Sequence, residues 1–459
     1  MMSHARFLEG STMSHVIRMT LTGAAGLTFM FLIDTATLFW ISRLRDEALM
    51  AALGFAWTIQ FFIISIGIGL AIATTALVSR AFGEGDIARA RRLSTGAIAI
   101  TLVSQVALVV VVMLFRRQIL HYAGASGATL DIADRFLVIT LPSMPLMAIG
   151  MCGGAILRAM GDAWRAMLVT MIAGIVAMLL DPIFIFTLDL GIDGAAWVMV
   201  IARVGVGILA LWYLIGVHGV LARMGIADFR PILAPFAVIA LPAIMTQMST
   251  PFGNALLTHF IAAFGDGAVA GFAVISRLTV LAFGGIFALS GAIGGILGQN
   301  YGAGLMPRVR RVYRDSVLFC FAYTLAAWAI LFATRELVVT LFRLGHEGAV
   351  VVDAFVGIAA GGFIFTGALF VANSAFNTLG RPLWSTGFNW ARDGFVLLPA
   401  AWAMSRAFGA PGVLYGQAAA GVIVGTIAAW AGWRFVAGLM PDEEAVLETV
   451  SEDLHHRPG

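Results

Sequence analysis

Two aspartates stand inside long apolar stretches of this sequence, where an ionised side chain is costly to keep. Asp34 lies in FLIDTATLFW (31–40) and Asp181 in LLDPIF (179–184). A carboxyl group in apolar surroundings binds a proton more readily than one in water, and a second carboxyl group nearby strengthens the effect. The chemistry that we predict for Asp34 and Asp181 is therefore reversible proton binding. For Asp34 the alternative is a structural carboxylate, held by Arg203 or by the hydroxyl group of Thr35 or Thr37. For Asp181 the alternative is a cap of a helix that is broken at the following proline.

The elements that carry these aspartates are membrane-spanning helices. The chain has 459 residues, of which 60% are hydrophobic and 12% charged, and its mean hydropathy is +0.95; soluble domains carry about 25% charged residues. Apolar runs long enough to cross a bilayer recur throughout. We predict an all-α membrane protein with twelve spans, at about 16–41, 50–78, 94–115, 134–158, 165–188, 194–217, 232–262, 268–297, 312–334, 349–378, 383–405 and 411–437.

Several function classes conflict with the composition. The sequence contains no lysine, so the lysine-dependent phosphate loop G-x-x-x-x-G-K-[ST] is excluded. Cys152 and Cys320 fall in apolar spans and predict neither a disulfide nor a metal site. No basic patch with interleaved aromatic residues indicates nucleic-acid binding. We expect no cofactor, and any uphill transport would have to use an ion gradient.

The two halves of the chain repeat one another. LVSRAFGEGDIARARRL (77–93) aligns with ILGQNYGAGLMPRVRRV (296–312) at an offset of 219 residues, and Gly161 aligns with Gly380 at the same offset. Six spans per half predict two lobes related by a pseudo-two-fold axis along the membrane normal. The predicted division is a first lobe at 1–217, a linker at 218–231, a second lobe at 232–437 and an acidic tail at 438–459.

The distribution of arginines predicts the orientation of the chain. They are more frequent in the loops that a twelve-span chain with both termini inside would place in the cytoplasm. The composition, which is rich in alanine, glycine and arginine, suggests a bacterial source and hence the inner membrane. We expect a monomer whose partners are the lipid bilayer and small organic molecules.

The motifs RAFGEGDIARARR, GQNYGAGLMPRVRR, LRAMGDAWRAM, LLDPIFIF and NTLGRP, in this order on twelve spans, resemble the multidrug and toxic compound extrusion (MATE) transporters. The resemblance covers about residues 14–437. It implies two six-helix bundles around a V-shaped cleft, alternating access, and export of organic, often cationic, compounds in exchange for H⁺ or Na⁺.

The resemblance also implies where ion coupling occurs. The NorM-like branch carries acidic residues in spans seven and ten, where this chain has uncharged polar residues apart from Asp353 near an end of span ten. The chain therefore looks DinF-like, with coupling in the first lobe at Asp34 and Asp181. Ala177 and Met199 stand where DinF-like members often have oxygen-bearing ligands for Na⁺. Since hard cations need several oxygen ligands, H⁺ is the predicted ion, with Na⁺ as the alternative. Arg203 would supply a fixed counter-charge to the aspartates or, alternatively, face lipid.

Candidate substrate contacts come from the second lobe. They are polar side chains in spans seven and ten, namely Gln247, Asn254, His259, Asn373 and Asn377. Asp393 follows Arg392 in span eleven, but adjacent helical positions point about 100° apart, so their pairing is only weakly indicated.

The sequence leaves three functions open. The leading one is an H⁺-coupled exporter of small amphipathic, cationic organic compounds. A lipid-linked saccharide flippase would need a strongly cationic cavity, whereas only Arg203, Arg277 and Arg392 are predicted to lie deep in the spans. A membrane-embedded enzyme would need a cluster of catalytic side chains, and the carboxylates found here are scattered.

Overall fold

The computed structural model describes residues 5–44, 47–342 and 344–439, and in these ranges the chain is helical, without strands. Most of the predicted acidic tail, residues 440–459, lies outside the described residues. Within the described ranges, seven residues are described by their backbone alone: Met30, Asp34, Thr35, Leu38, Ser42, Glu47 and Ile226.

The first half of the chain forms seven α-helices. They are α1 (Thr12–Ser42), α2 (Glu47–Gly83), α3 (Ile87–Tyr122), α4 (Gly127–Thr140), α5 (Met144–Ala159), α6 (Ala163–Pro182) and α7 (Gly191–Trp212). A 3₁₀ turn at Leu141–Ser143 joins α4 to α5, and π turns at Ile183–Thr187 and Tyr213–Val217 extend α6 and α7. These helices make up the first lobe.

The second half repeats this order. Its helices are α8 (Arg230–Ala262), α9 (Asp266–Gly302), α10 (Met306–Leu341), α11 (His346–Gly357), α12 (Phe363–Leu379), α13 (Pro382–Trp390), α14 (Leu397–Phe408) and α15 (Ala410–Ala437). A 3₁₀ turn at Ala359–Gly362 joins α11 to α12, as another joins α4 to α5. These helices make up the second lobe.

The prediction of an all-α membrane protein is confirmed. Eleven helical segments of the described chain are long and apolar enough to cross a membrane. The remaining predicted span, 383–405, is present as α13 and α14 with a π turn at Ala391–Val396 between them, so neither helix alone has the length of a span.

Both described termini lie at one end of the helix bundle, together with the connections at 83–87, 302–306 and 218–229, as the contacts of Phe7 with Gln299, of Arg310 with Leu439 and of Thr95 with Ala222 indicate. We call this the terminus end, and the other end the opposite end. At the terminus end the first helix of each half packs into the core of the other half. Phe7, Val16 and Met19 are buried among second-lobe residues, and Ile232 and Phe236 among first-lobe residues.

The duplicated motifs meet each other at the terminus end. A Cβ atom on Gly83 would lie 2.1 Å from the carbonyl oxygen of Gln299, and one on Gly302 would lie 2.2 Å from the carbonyl oxygen of Arg80. Arg80 and Gln299 are themselves related by the offset of 219 residues. Helices α2 and α9 therefore cross at backbone contact with approximate two-fold symmetry, which closes the space between the lobes at this end.

Candidate functional site

Asp181 is the buried carboxylate of the first lobe. It is 1% exposed and lies next to the last residue of α6, Pro182. The hydroxyl group of Thr37 on α1 donates a hydrogen bond to its Oδ2 atom. This hydrogen bond joins α1, in the first span, to α6, in the fifth span. A change in the charge of Asp181 changes the strength of this bond and therefore affects how α1 packs against α6.

Asp34 lies in α1, one helical turn before Thr37, and its side chain is outside the described part of the structure. The helix backbone around it is held close to α6. A Cβ atom on Gly174 would lie 1.9 Å from Cδ1 of Ile33, so the absence of a side chain at Gly174 lets α1 approach α6 beside Asp34.

Arg203 lies inside the first lobe and is 7% exposed. Its Nη1 atom donates to the carbonyl oxygen of Thr140 at 3.1 Å and to Oγ of Ser143 at 3.2 Å, and Nη2 donates to Oε1 of Gln60. The 3₁₀ turn makes this possible, because the N–H of Met144 bonds to the carbonyl of Leu141 rather than to that of Thr140. The sequence left open whether Arg203 faces the protein interior or lipid, and the side chain faces the protein interior.

A buried ion pair occupies the second lobe. Nε and Nη2 of Arg392 donate to the two carboxylate oxygens of Asp393 at 2.7 and 2.8 Å, and Ser249 Oγ donates to Oδ2 at 2.9 Å. The pairing that the sequence only weakly indicated is therefore present. Both residues lie in the π turn, where side-chain directions differ from those of an α-helix. Asp393 is thus neutralised by its neighbour.

The five predicted substrate contacts fall into two groups. Asn373 and Asn377 on α12 are 5% and 4% exposed, and the Oδ1 atom of each is enclosed without a hydrogen-bond partner among the described residues. On α8, Gln247 is half-buried, while Asn254 and His259 are exposed. The two α12 residues are thus buried, whereas the three α8 residues are not. Substrate contact stays a prediction for all five residues.

Sequence reasoning missed several polar residues that the structure encloses between helices. Gln60 and Thr140 complete the Arg203 site, with Gln60 Nε2 donating to Thr140 Oγ1 at 3.1 Å. Arg158, in the last turn of α5, belongs to the motif LRAMGDAWRAM and lies 219 residues before Asn377. Comparison of the repeat-related positions could have identified it. Arg277 lies well inside α9, as the sequence predicts, and its side chain is exposed on the surface of the protein.

A charge cluster outside the spans anchors the linker to the first lobe. Asp162 caps α6, and its Oδ2 atom accepts bonds from Arg165 Nη1 at 2.5 Å and His218 Nε2 at 3.1 Å. Burial of Asp162 opposes ionisation, but the hydrogen bonds from His218 and Arg165 outweigh it and hold the pKa of this carboxyl well below its ordinary value. The carboxylate therefore remains charged at neutral pH and holds the two segments together.

Comparisons with known proteins agree with this architecture. The sequence profile of the MatE family matches residues 24–183 and 242–402, one stretch in each half. The FAD transporter of Shewanella oneidensis is 25% identical over 405 residues, which are 87% of this chain and 89% of that protein. The multidrug export protein MepA of Staphylococcus aureus is 22% identical over 387 residues, 82% and 84% of the two chains.

Solved structures of similar fold are also transporters. A crystal structure of the MATE transporter VcmN of Vibrio cholerae superposes with a TM-score of 0.86 at 26% identity, covering 92% of this chain and 96% of that one. An outward-facing multidrug resistance MATE family transporter gives a TM-score of 0.87 at 22% identity, covering 95% and 98% of the two chains. The profile match in both halves covers more than half of the chain.

Proposed function

The chain belongs to the MATE family of multidrug and toxic compound efflux transporters, and on this premise we propose that it exchanges H⁺ for small amphipathic organic compounds by alternating access. The observation that carries the proposal is the buried carboxylate of Asp181, bonded to Thr37 of the neighbouring span. An ionisable group buried inside a span is costly to maintain and is by default a candidate for a functional site; the function that we assign to it is proton binding.

The proposed cycle alternates protonation with lobe movement. Protonation of Asp181 and Asp34 from the opposite end neutralises the first lobe and changes the packing of α1 against α6. The lobes then separate at the crossing of α2 with α9, the cleft opens at the terminus end, and the protons leave as substrate enters. Arg203 keeps a fixed positive charge in the same lobe, which favours the return of the carboxylates to their ionised form.

We propose H⁺ rather than Na⁺ as the coupling ion because of the groups around Asp181. Ala177 lies one turn before it and offers no oxygen ligand, and Thr37 supplies a single hydroxyl. A sodium ion would need several further oxygens, whereas a proton needs only the carboxylate. Assignment to the DinF-like branch rests on the same first-lobe placement of the acidic residues.

The proposed substrates are amphipathic compounds, with organic cations as the first class to test. The relatives named as a multidrug export protein and as an FAD transporter support tests of both drug-like and nucleotide-like compounds. We propose that the protein acts as a monomer in a bacterial inner membrane, with both termini in the cytoplasm and the lobes divided at the linker 218–231. The terminus end is then the cytoplasmic end.

The experiment that tests this function is transport into proteoliposomes under imposed ion gradients, with a fluorescent lipophilic cation as substrate. We expect a proton gradient to drive accumulation and a sodium gradient of equal size to have no effect. Both Asp34→Asn and Asp181→Asn should abolish the proton-driven component. Asp353→Asn is the matched control, because Asp353 is an exposed carboxylate of α11 and should transport as the unmodified chain does.

Two results would contradict the proposal. Accumulation driven by sodium in the absence of a proton gradient would assign coupling to the other ion. Full proton-driven transport in both Asp34→Asn and Asp181→Asn would remove the first-lobe carboxylates from the mechanism.

A further inference from the structure

Arg158 is an arginine whose direction is unusual for its place in the membrane. It lies in the last turn of α5, close to the terminus end. Arginines near helix ends normally extend toward the nearby interface. Here the side chain turns back along its own helix, and Nη1 lies 3.3 Å from where a Cβ atom of Gly154 would be. Its guanidinium group therefore points toward the middle of the protein.

The guanidinium group of Arg158 lacks a partner among the described residues. Its Nε atom is enclosed and donates no hydrogen bond, and none of the ion pairs of the described chain includes it. This differs from Arg203 and Arg392, which donate to oxygen atoms of their own lobes. Arg158 is half-buried, but an enclosed N–H donor without an acceptor is costly, so the structure holds an unused hydrogen-bonding capacity at its Nε atom.

Arg158 also lies where the two lobes meet. Its Nε atom is 4.0 Å from a Cβ position on Gly291 of α9, and its carbonyl oxygen is 2.8 Å from a Cβ position on Gly295. The contact between α2 and α9 closes the terminus end beside it. The group consequently stands at the floor of the space between the lobes, where cargo would pass if this chain works as proposed above.

The residue related to Arg158 by the internal repeat is Asn377, and it is also under-satisfied. Its Oδ1 atom is enclosed without a partner, and its Nδ2 atom makes one long contact of 3.4 Å to Ser385. At these two repeat-related positions the first lobe thus has a positively charged hydrogen-bond donor, Arg158, and the second lobe has a neutral amide, Asn377. The repeat has become asymmetric in charge at this level, with the positive charge on the first-lobe side.

We propose that Arg158 binds an anionic group, a carboxylate or a phosphate, of the transported compound at the floor of the cleft. This inference rests on the proposed transport function and narrows its substrate class to amphiphiles that bear such a group, including zwitterions that also carry a delocalised cation. A guanidinium group is suited to this role, because its planar set of N–H donors matches two oxygens of a carboxylate or phosphate.

The test uses two pairs of fluorescent probes that differ only in the anionic group. The first pair is a rhodamine with a free benzoate and its methyl ester, and the second is FMN and riboflavin. Binding to the purified full-length protein in detergent is followed by fluorescence polarisation. We expect the carboxylate or phosphate form of at least one pair to bind about 10- to 100-fold more tightly than its neutralised form. The pair that shows the preference identifies the anion.

Variants assign the preference to the residue. Arg158→Gln should weaken binding of the anionic probe to the level of its neutralised form and leave the latter unchanged, whereas Arg158→Lys should keep part of the preference. Arg311→Gln, at an exposed arginine near the start of α10 at the terminus end, should bind all probes as the unmodified chain does. Equal binding within both pairs by the unmodified chain, or a full preference retained in Arg158→Gln, overturns the proposal.

Failure of this inference is separable from failure of the proposed function. Probe binding is measured at equilibrium and needs no ion gradient. Proton-driven transport of a compound without an anionic group, together with equal binding within both pairs, would keep the transport function and refute the role of Arg158.

Discussion

A single hydroxyl group connects the buried Asp181 with the neighbouring span, and its removal tests how much the coupling depends on that contact. Thr37→Val keeps the shape of the side chain and loses the donor to Asp181. We expect proton-driven transport to fall about 10- to 100-fold, since a hydrogen bond to a charged group contributes about 1.5–3 kcal/mol. Thr37→Ser keeps the hydroxyl group and should restore most of the rate. Equal rates for the two variants would assign the position a packing role only.

The charge of Asp162 should stabilise the protein at neutral pH. Asp162→Asn keeps a helix cap, because asparagine caps as well as aspartate, but loses the charge that meets Arg165, at a cost of about 1 kcal/mol. Because the pKa of Asp162 is depressed in the folded state, this stabilisation is complete above the unfolded pKa of about 4 and is lost as the pH falls through the folded pKa. The difference in melting temperature should therefore be largest near pH 7 and shrink below about pH 4.

The control for this measurement is Asp86→Asn. Asp86 caps α3 through the N–H of Arg89 at 2.8 Å but is exposed, so the same change should cost less. A difference between Asp162→Asn and the unmodified chain that does not depend on pH would contradict the assignment.

At the scale of single residues, the sequence was sufficient to identify ionisable side chains inside apolar runs. It was not sufficient to predict the residues that those side chains contact. A carboxylate in an apolar run is visible without a structure, which is why Asp181 was found. The partners of Arg203 were not, because they depend on a 3₁₀ turn that frees one carbonyl group of the fourth span. Arg158 was missed for a similar reason, since its inward direction is a property of the side-chain conformation.

Among the elements, the chain segment before α1 forms a strap across the two lobes at the terminus end. Phe7 is 2% exposed, its N–H donates to Gln299 Oε1 at 3.0 Å, and its carbonyl accepts from Arg308 Nη2 at 2.9 Å. On the first-lobe side, its ring lies 3.2 Å from a Cβ position on Gly161. The strap must lose one of these sets of contacts whenever the lobes separate here.

Removal of the arginine that holds the strap should weaken closure at the terminus end. Arg308 also donates to the carbonyl oxygens of Glu9 and Gly10. We expect Arg308→Gln to lower the free energy of unfolding by about 1–3 kcal/mol and to increase proteolysis at the N-terminus. Arg311→Gln, in the same motif but exposed, is the control. Identical melting curves for both variants would show that the strap adds no stability.

The elements themselves were largely predictable, because apolar runs of span length are the strongest signal in such a chain. The breaks inside them were harder to predict. The span at 383–405 contains Arg392 and Asp393, and the π turn that pairs them is set by local backbone geometry and by Ser249 of another helix. Sequence periodicity assumes one regular helix and cannot represent such a turn.

At the scale of the whole molecule, the duplicated glycines Gly83 and Gly302 set how closely the lobes approach at the terminus end. Gly302→Ala would place a methyl group against the carbonyl of Arg80, and the lobes could relieve this contact by separating. We expect electron–electron distances between spin labels on Arg89→Cys and Arg311→Cys, with Cys152 and Cys320 replaced, to shift to longer values. Gly54→Ala, which meets nothing within 4 Å, should leave the distances unchanged; an unchanged distance in Gly302→Ala would refute this role.

The central claim is that a first-lobe carboxylate exchanges its proton for substrate, and proton release on substrate binding tests it most directly. The purified chain, in weakly buffered detergent solution with a pH indicator, would be mixed with a transported compound. We predict that the unmodified chain and Asp353→Asn release protons on binding, while Asp181→Asn and Asp34→Asn bind the compound and release fewer or none. Undiminished release by both first-lobe variants would contradict the account.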